Sequence, residues 1–566
     1  MALAALPYHE PGIVTILIQS SFLLVLNGIN WILDNAIYCG LVGQILIGVA
    51  WGTPGANWLS EEVQDTVMQL GYLGLILIVY EGCRRSCYSG LSTSFASLWS
   101  NIYLSGLVAL IGIMLPIGLS YVLMGLLGAT PVQAFAAGAA LCSTSLGTTF
   151  TIISTSGLDK SRLGVILGSA AMLDDVAGLV MVQVISNLGR SADSFTAITV
   201  IRPVFVSIAF AVVVPAVCWA VVKPITKSTL AQTAKKDEEQ SRLWTWIRTP
   251  VAAFIAHTLV LLGLVTGSTY AGTSNLFAAY IAGAVINWWD AVVNTTLQEQ
   301  VSASVTEKKA RKGKKTTQPQ REGAVVSSPT SSDNSAPDAR EPAIDRPVPA
   351  THDKLRGAVI YEHMYAPAMN TILKPFFFAS IGFSVPITQM FRGTIVWRGI
   401  VYTILMILGK LACGLVLVRF TSTPTKVQIP EGQQTTNTTP STDASTNQTN
   451  PQQPPSANSK RKRQPPRKLP KPQSLYPSLM LGSAMVARGE IGFLISSLAE
   501  SNGVFGATQG GESSDIFLVA TWAILLCTII GPVSIGTMVN RVRRLQKARV
   551  SDTAKPDPLG GWGVEG

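Results

Sequence analysis

Apolar residues arrive in long blocks, and that arrangement restricts this chain to one kind of fold. Thirteen blocks stand out: 13–33, 36–52, 64–82, 97–125, 131–155, 160–188, 197–222, 246–267, 272–290, 364–386, 395–420, 477–500 and 515–540. A bilayer core takes about 20 apolar residues per helix. Most blocks reach that length, and the second and ninth are the shortest. Only 13% of the 566 residues are charged, against about 25% in soluble domains. A membrane barrel would instead show alternating strands of about ten residues. The expected fold is therefore an all-α polytopic membrane protein with about thirteen transmembrane helices.

The formal net charge is +11. The basic residues gather between the blocks, which points to topology and lipid headgroups rather than to nucleic acid. They follow the odd-numbered blocks: Arg84 and Arg85, Lys160 and Arg162, Lys223 to Arg242, 308–315, 460–463 and 541–549. The loop after the second block is acidic, with Glu61, Glu62 and Asp65. The N-terminus is accordingly expected outside or in a lumen, and the C-terminus in the cytosol, across the plasma membrane or an endomembrane. No basic segment leading into an apolar core opens the chain, so no cleaved signal peptide is expected.

An extra helix in 1–35 precedes a membrane domain in three parts, 36–290, 363–420 and 477–540. Cytosolic loops at 291–362 and 421–476 separate these parts, and a cytosolic tail covers 541–566. Residues 300–355 are basic and Ser/Pro-rich, and 421–475 are Thr/Asn/Gln/Pro-rich. Neither can bury a core, so disorder is expected there. The sequons at Asn294, Asn437 and Asn447 then fall on the cytosolic side and go unused. Seven cysteines and four histidines are scattered. Cys83 and Cys87 lie a turn apart, but no second pair completes a metal site. No nucleophile–histidine grouping and no nucleotide loop appears, so neither an enzyme nor a cofactor is expected.

Two blocks carry polar interruptions. Residues 139–154 read AALCSTSLGTTFTIIS, and 483–501 read SAMVARGEIGFLISSLAES, with Arg488, Gly489 and Glu490 in mid-segment. With the first block set aside, blocks two to six and nine to thirteen form two groups of five. The interrupted block is the fourth in each, and the groups enter the membrane from opposite sides. Inverted repeats with matching broken helices are the pattern of secondary transporters, whose broken ends meet ions near the midplane.

The block after the first interruption carries Asp174 and Asp175. A charge at the bilayer centre costs roughly 2.5–3.5 kcal/mol or more, so such residues face partners, cavities or ion pathways. Adjacent helical residues point about 100° apart, so the two carboxylates meet different neighbours. A buried carboxylate can hold a proton or a cation but not both at once, and that competition suffices for exchange. Lys410, inside LMILGKLACGLVL (405–417), is the natural partner of one aspartate. Glu81 closes the third block as a solvated helix end or an entry-funnel acid, and Lys374 begins another apolar run.

CSTSLGTT, GSAAMLDDVAGLV, FFFASIGFSV, LGKLACG and ARGEIGFLI follow one another in this order. Together they resemble the monovalent cation/proton antiporter superfamily, in its paired-aspartate sodium/proton branch and the fungal relatives of that branch. The resemblance implies that Asp175 binds the cation or proton and that Asp174 pairs with Lys410. It places Thr144 and Ser145 at the first helix crossover and Arg488, Gly489 and Glu490 at the second. It also implies a homodimer whose core, blocks four to six and eleven to thirteen, moves like an elevator against a scaffold of blocks one to three and eight to ten. The transported species would be sodium, potassium or lithium with protons. Potassium/proton exchange or potassium efflux is the alternative, and a channel or sensor on the same fold is a further one.

Overall fold

The computed structural model describes residues 10–37, 39–91, 95–145, 158, 161–190, 197–228, 249–314, 357–418, 474–506, 512–550, 558–559 and 562. Most of both low-complexity loops, including Asn437 and Asn447, lies outside these residues, as do the side chains of Cys83, Cys87 and Asn294. The described elements are helical. They are α1 (Ile13–Ile37), α2 (Gly40–Trp51), α3 (Glu61–Leu91), α4 (Phe95–Ser120), α5 (Val122–Leu127), α6 (Pro131–Cys142), α7 (Arg162–Arg190) and α8 (Ala197–Val217). There follow α9 (Pro250–Ala271), α10 (Asn275–Lys314), α11 (Lys374–Phe383), α12 (Gly393–Leu411), α13 (Tyr476–Val486), α14 (Glu490–Ser501) and α15 (Asp515–Val550). Ten helical stretches are long and apolar enough to cross a membrane, and α2 and α6 are shorter apolar helices.

The structure revises three expectations from the sequence. α2 has 12 residues, about 18 Å at 1.5 Å each, so the 36–52 block does not cross a bilayer alone. It is instead buried along most of its length. α10 continues to Lys314, through residues expected to lie in the 291–362 loop. That stretch holds many Ala, Gln, Glu and Lys residues and no proline, so little opposes the helix. The tenth block also begins early, with helical turns from Gly357 and wide turns at Tyr361–Tyr365 and Met369–Leu373. Pro367 and Pro375 follow closely. A proline removes a backbone donor and crowds the preceding turn, and such wide turns are one way a helix absorbs it.

The helices sort into two groups by packing. α1, α2, α3, α9, α10 and α11 pack on one another, while α4, α6, α7, α12, α13, α14 and α15 form a second bundle. α8 leans on α7 and touches α10. Contact within the first bundle rests on small residues, because lipid offers no hydrophobic drive between helices and close backbone approach must supply the attraction. A side-chain carbon added to Gly48 would lie 2.1 Å from the carbonyl oxygen of Ala379, and one added to Gly382 would lie 2.3 Å from that of Ile45. These two helices therefore touch backbone to backbone.

The second bundle carries its own clasp at the end of the chain. Leu559 and Trp562 are buried against Leu158, Leu163, Leu167 and Met480. The Arg162 guanidinium sits 5.3 Å from the centre of the Trp562 ring, within cation–π range. The Ser474 hydroxyl donates to the Pro558 carbonyl at 2.5 Å. Part of the tail expected over 541–566 is thus α15 itself, and part returns to the core.

Overpacking a close-packed contact costs about 1–3 kcal/mol. Gly382→Leu should therefore lower the apparent melting temperature in detergent by several degrees. Gly106→Ala, where the added carbon meets nothing within 4 Å, should leave it nearly unchanged. Equal melting temperatures for both variants would contradict the packing described for α2 and α11.

Candidate ion-binding site

The first polar interruption read from the sequence is where α6 ends, and the second is a break between two helices. α6 ends at Cys142 because Ser143 adopts an extended conformation, with φ −70° and ψ 151°. α13 ends at Val486, where Ala487 turns out with ψ 130°. Helix resumes at Glu490 as α14. Serine and threonine after Cys142 can satisfy freed backbone groups locally, which a continuous aliphatic run could not do.

The two breaks meet. The Ser145 N–H donates to the Ala487 carbonyl at 3.0 Å, and the Arg488 guanidinium donates to the Ser143 carbonyl at 2.8 Å. Gly489 permits this approach, since a carbon added there would fall 2.5 Å from Cβ of Ser145. Of the sequence candidates, Thr144, Ser145, Arg488 and Gly489 are thereby brought together.

α7 and α12 bring the charges. Asp174 on α7 and Lys410 on α12 are both 0% exposed. The Lys410 ammonium donates to Asp174 Oδ2 at 2.8 Å, to Thr144 Oγ1 at 3.0 Å and to the Cys142 carbonyl at 2.5 Å. Its three protons are thus matched by three acceptors. The Thr144 hydroxyl donates to the same Asp174 oxygen. A cation at this carbonyl also answers the negative end of the α6 dipole, which would otherwise stay uncompensated in apolar surroundings. Arg488, 0% exposed, occupies the same helix end through Ser143.

Several polar atoms here remain unused. Asp174 Oδ1 and Arg488 Nε and Nη2 have no hydrogen-bond partner among the described residues. Asp175, the next residue on α7, is half-buried and points to a different neighbourhood. Glu490 at the start of α14, Asp174 and Lys410 are the charged groups within electrostatic reach of it. Buried Asp174 and half-buried Asp175 and Glu490 thus stand near two buried cationic side chains, Lys410 and Arg488. With every group ionised, one negative charge is left over.

Residues 36–307 match the family model for the sodium/hydrogen exchanger transmembrane domain. A stretch of 155 residues is 30% identical to the high-affinity Na(+)/H(+) antiporter NhaS3 of Synechocystis, covering 27% of this chain and 32% of that protein. Another of 166 residues is 27% identical to the Na(+)/H(+)-K(+) antiporter GerN of Bacillus cereus, covering 29% of this chain and 41% of that one. The matches thus span less than half the length of either relative. The fold is similar to that of the sodium proton antiporter MjNhaP1 from Methanocaldococcus jannaschii, with a TM-score of 0.50 over 93% of this chain and 98% of that one, at 11% identity.

Over 36–307, just under half of its length, the chain is thus similar to sodium/hydrogen exchangers. With the ten long apolar helices among the described residues, that similarity supports a multi-pass integral membrane protein. The remaining sequence candidates lie away from the crossing. Glu81 accepts a hydrogen bond from Tyr361 at 2.9 Å, and Tyr361 packs with Tyr80 and Tyr365. Lys374 is half-buried at the start of α11. Sequence reasoning missed the Cys142 and Ser143 carbonyls, because a backbone oxygen becomes a ligand only where a helix ends. It also passed over Arg202, a charge inside the 197–222 block that an inventory of intramembrane charges would have found.

Proposed function

We propose that this protein is a secondary active monovalent cation/proton antiporter, with sodium as the favoured cation, exchanging ions at Asp175 beside Asp174. One observation carries the reading. The crossing holds Asp174, Asp175 and Glu490 against Lys410 and Arg488, and one monovalent cation or one proton cancels the remaining negative charge. Two ions competing for one vacancy of charge is what obligatory exchange requires. Potassium is the second reading, favoured by the similarity to a relative named as a Na(+)/H(+)-K(+) antiporter.

The two bundles supply a route for alternating access. The bundle that carries the crossing would slide against the bundle built on α2, α3, α10 and α11. Two copies joined through the latter would leave each ion-carrying bundle free to move. Lys410 is the charge partner of Asp174. A cation entering beside Asp174 Oδ1, which has no partner among the described residues, would compete with the ammonium for that carboxylate. If a proton leaves the displaced Lys410 together with the one on Asp175, two protons exchange for one cation and net charge moves.

In liposomes under an imposed pH gradient, sodium or lithium should dissipate the gradient. Asp175→Asn keeps the side-chain volume and should abolish exchange in a protein that still elutes as a folded species. Exchange near the wild-type rate in that variant would end this assignment. Lys410→Met should remove net current under a sodium gradient. An unchanged current, or none in the wild type, would make Lys410 a structural clamp.

The lysine and arginine asymmetry supports an N-terminus outside and loops 223–245, 291–362 and 421–476 in the cytosol. A membrane-impermeant reagent should leave a cysteine introduced into 315–356 unmodified in intact cells. Labelling of that cysteine from outside would reverse the topology.

A further inference from the structure

A cavity of about 720 Å³ opens between the two bundles. One wall is formed by Val182, Gln183, Ser186 and Asn187 of α7 with Leu494, Ser497, Leu498 and Ser501 of α14, and Met68, Tyr72, Phe377 and the turn from α9 to α10 stand opposite. Val182 lies seven residues along α7 from Asp175, and Leu494 lies four along α14 from Glu490. At 1.5 Å per residue, the cavity floor stands about 6–10 Å from the acids. Twelve of the twenty lining residues carry a hydroxyl or an amide, groups that bind a hydrated cation weakly. Arg202 of α8, an exposed side chain, carries the one formal charge in that lining among the described residues. A fixed positive charge in the approach to a cation site is the opposite of what concentrating cations would require. The acids of this face, Glu61, Glu62 and Asp65, are exposed at the start of α3 and lie outside the lining.

We propose that Arg202 is a specificity-determining charge of this cavity, holding its potential positive enough to raise the cation KM on this face and to exclude divalent cations more strongly than monovalent ones. This rests on the proposed exchange at Asp175. The physical reason is that a fixed potential enters the local ion concentration as a Boltzmann factor with the ion's charge in the exponent. If the guanidinium lowers a monovalent cation's local concentration by some factor, it lowers a divalent cation's by the square of that factor. One charge about 7 Å away in water-like surroundings gives a factor of roughly two to three. The effect should shrink as ionic strength rises and the screening length falls below the cavity's width. Arg202 touches neither the acids nor the helix crossing, so turnover at saturation should be indifferent to it.

The test measures sodium KM and kcat in right-side-out and everted vesicles, with magnesium as a competing ion. Arg202→Gln should lower sodium KM roughly two- to threefold in one vesicle orientation only, with kcat unchanged. The magnesium inhibition constant should fall by about the square of that factor on the same face. Arg202→Lys keeps the charge and should behave as wild type, and high ionic strength should shrink the difference between Gln and wild type. The proposal fails if KM is unchanged, if it shifts equally on both faces, if Lys behaves as Gln, or if magnesium and sodium shift by the same factor. Failure of the underlying exchange would be read separately, as transport surviving in Asp175→Asn.

Discussion

The buried pair of Lys410 and Asp174 organises the centre of this protein. Two ions at 0% exposure are costly to desolvate, and removing either would leave the other uncompensated, a loss of about 3–5 kcal/mol in buried pairs generally. The pair persists because it also closes a backbone problem. α6 stops inside the apolar layer, its last carbonyls lack helical partners, and the ammonium satisfies the one at Cys142 while bound to Asp174. Thr144, in the break itself, ties the same carboxylate to the crossing. Helix end, cation and carboxylate form one unit, and none of the three would be stable there alone.

That unit explains the division of labour between the bundles. The bundle that carries the crossing needs polar atoms in its interior, and it secures them with contacts between α6, α7, α12, α13 and α14. The other bundle has no such burden. It packs by backbone approach at Gly48 and Gly382, which makes a dense and apolar body. Between the two lies a cavity walled by hydroxyls and amides.

Much of this was legible in the sequence. The apolar blocks dictated a helical membrane fold, because in lipid each backbone group must find its partner within the segment. The cost of intramembrane charge singled out Asp174, Asp175 and Lys410, and the polar runs at 142–149 and 487–490 marked where helices break. The errors share a cause. α2 is shorter than its apolar block, and α10 is longer than its own, because hydropathy reports burial and lipid contact, not where backbone hydrogen bonding stops.

Tertiary structure alone decided the pairing and the vacancies. From sequence, Lys410 could have met either aspartate, since adjacent helical positions differ by about 100° and the rotation of α7 was unknown. Packing against α6 and α12 turned Asp174 to the lysine and left Asp175 half-buried outside that pair. Packing also brought the Cys142 and Ser143 carbonyls to two cationic side chains and placed Arg202 in the wall of the cavity. Sequence determined which residues were too expensive to bury without a purpose. The fold decided which of them face one another, because that depends on helix rotation and on breaks brought together from segments more than 300 residues apart.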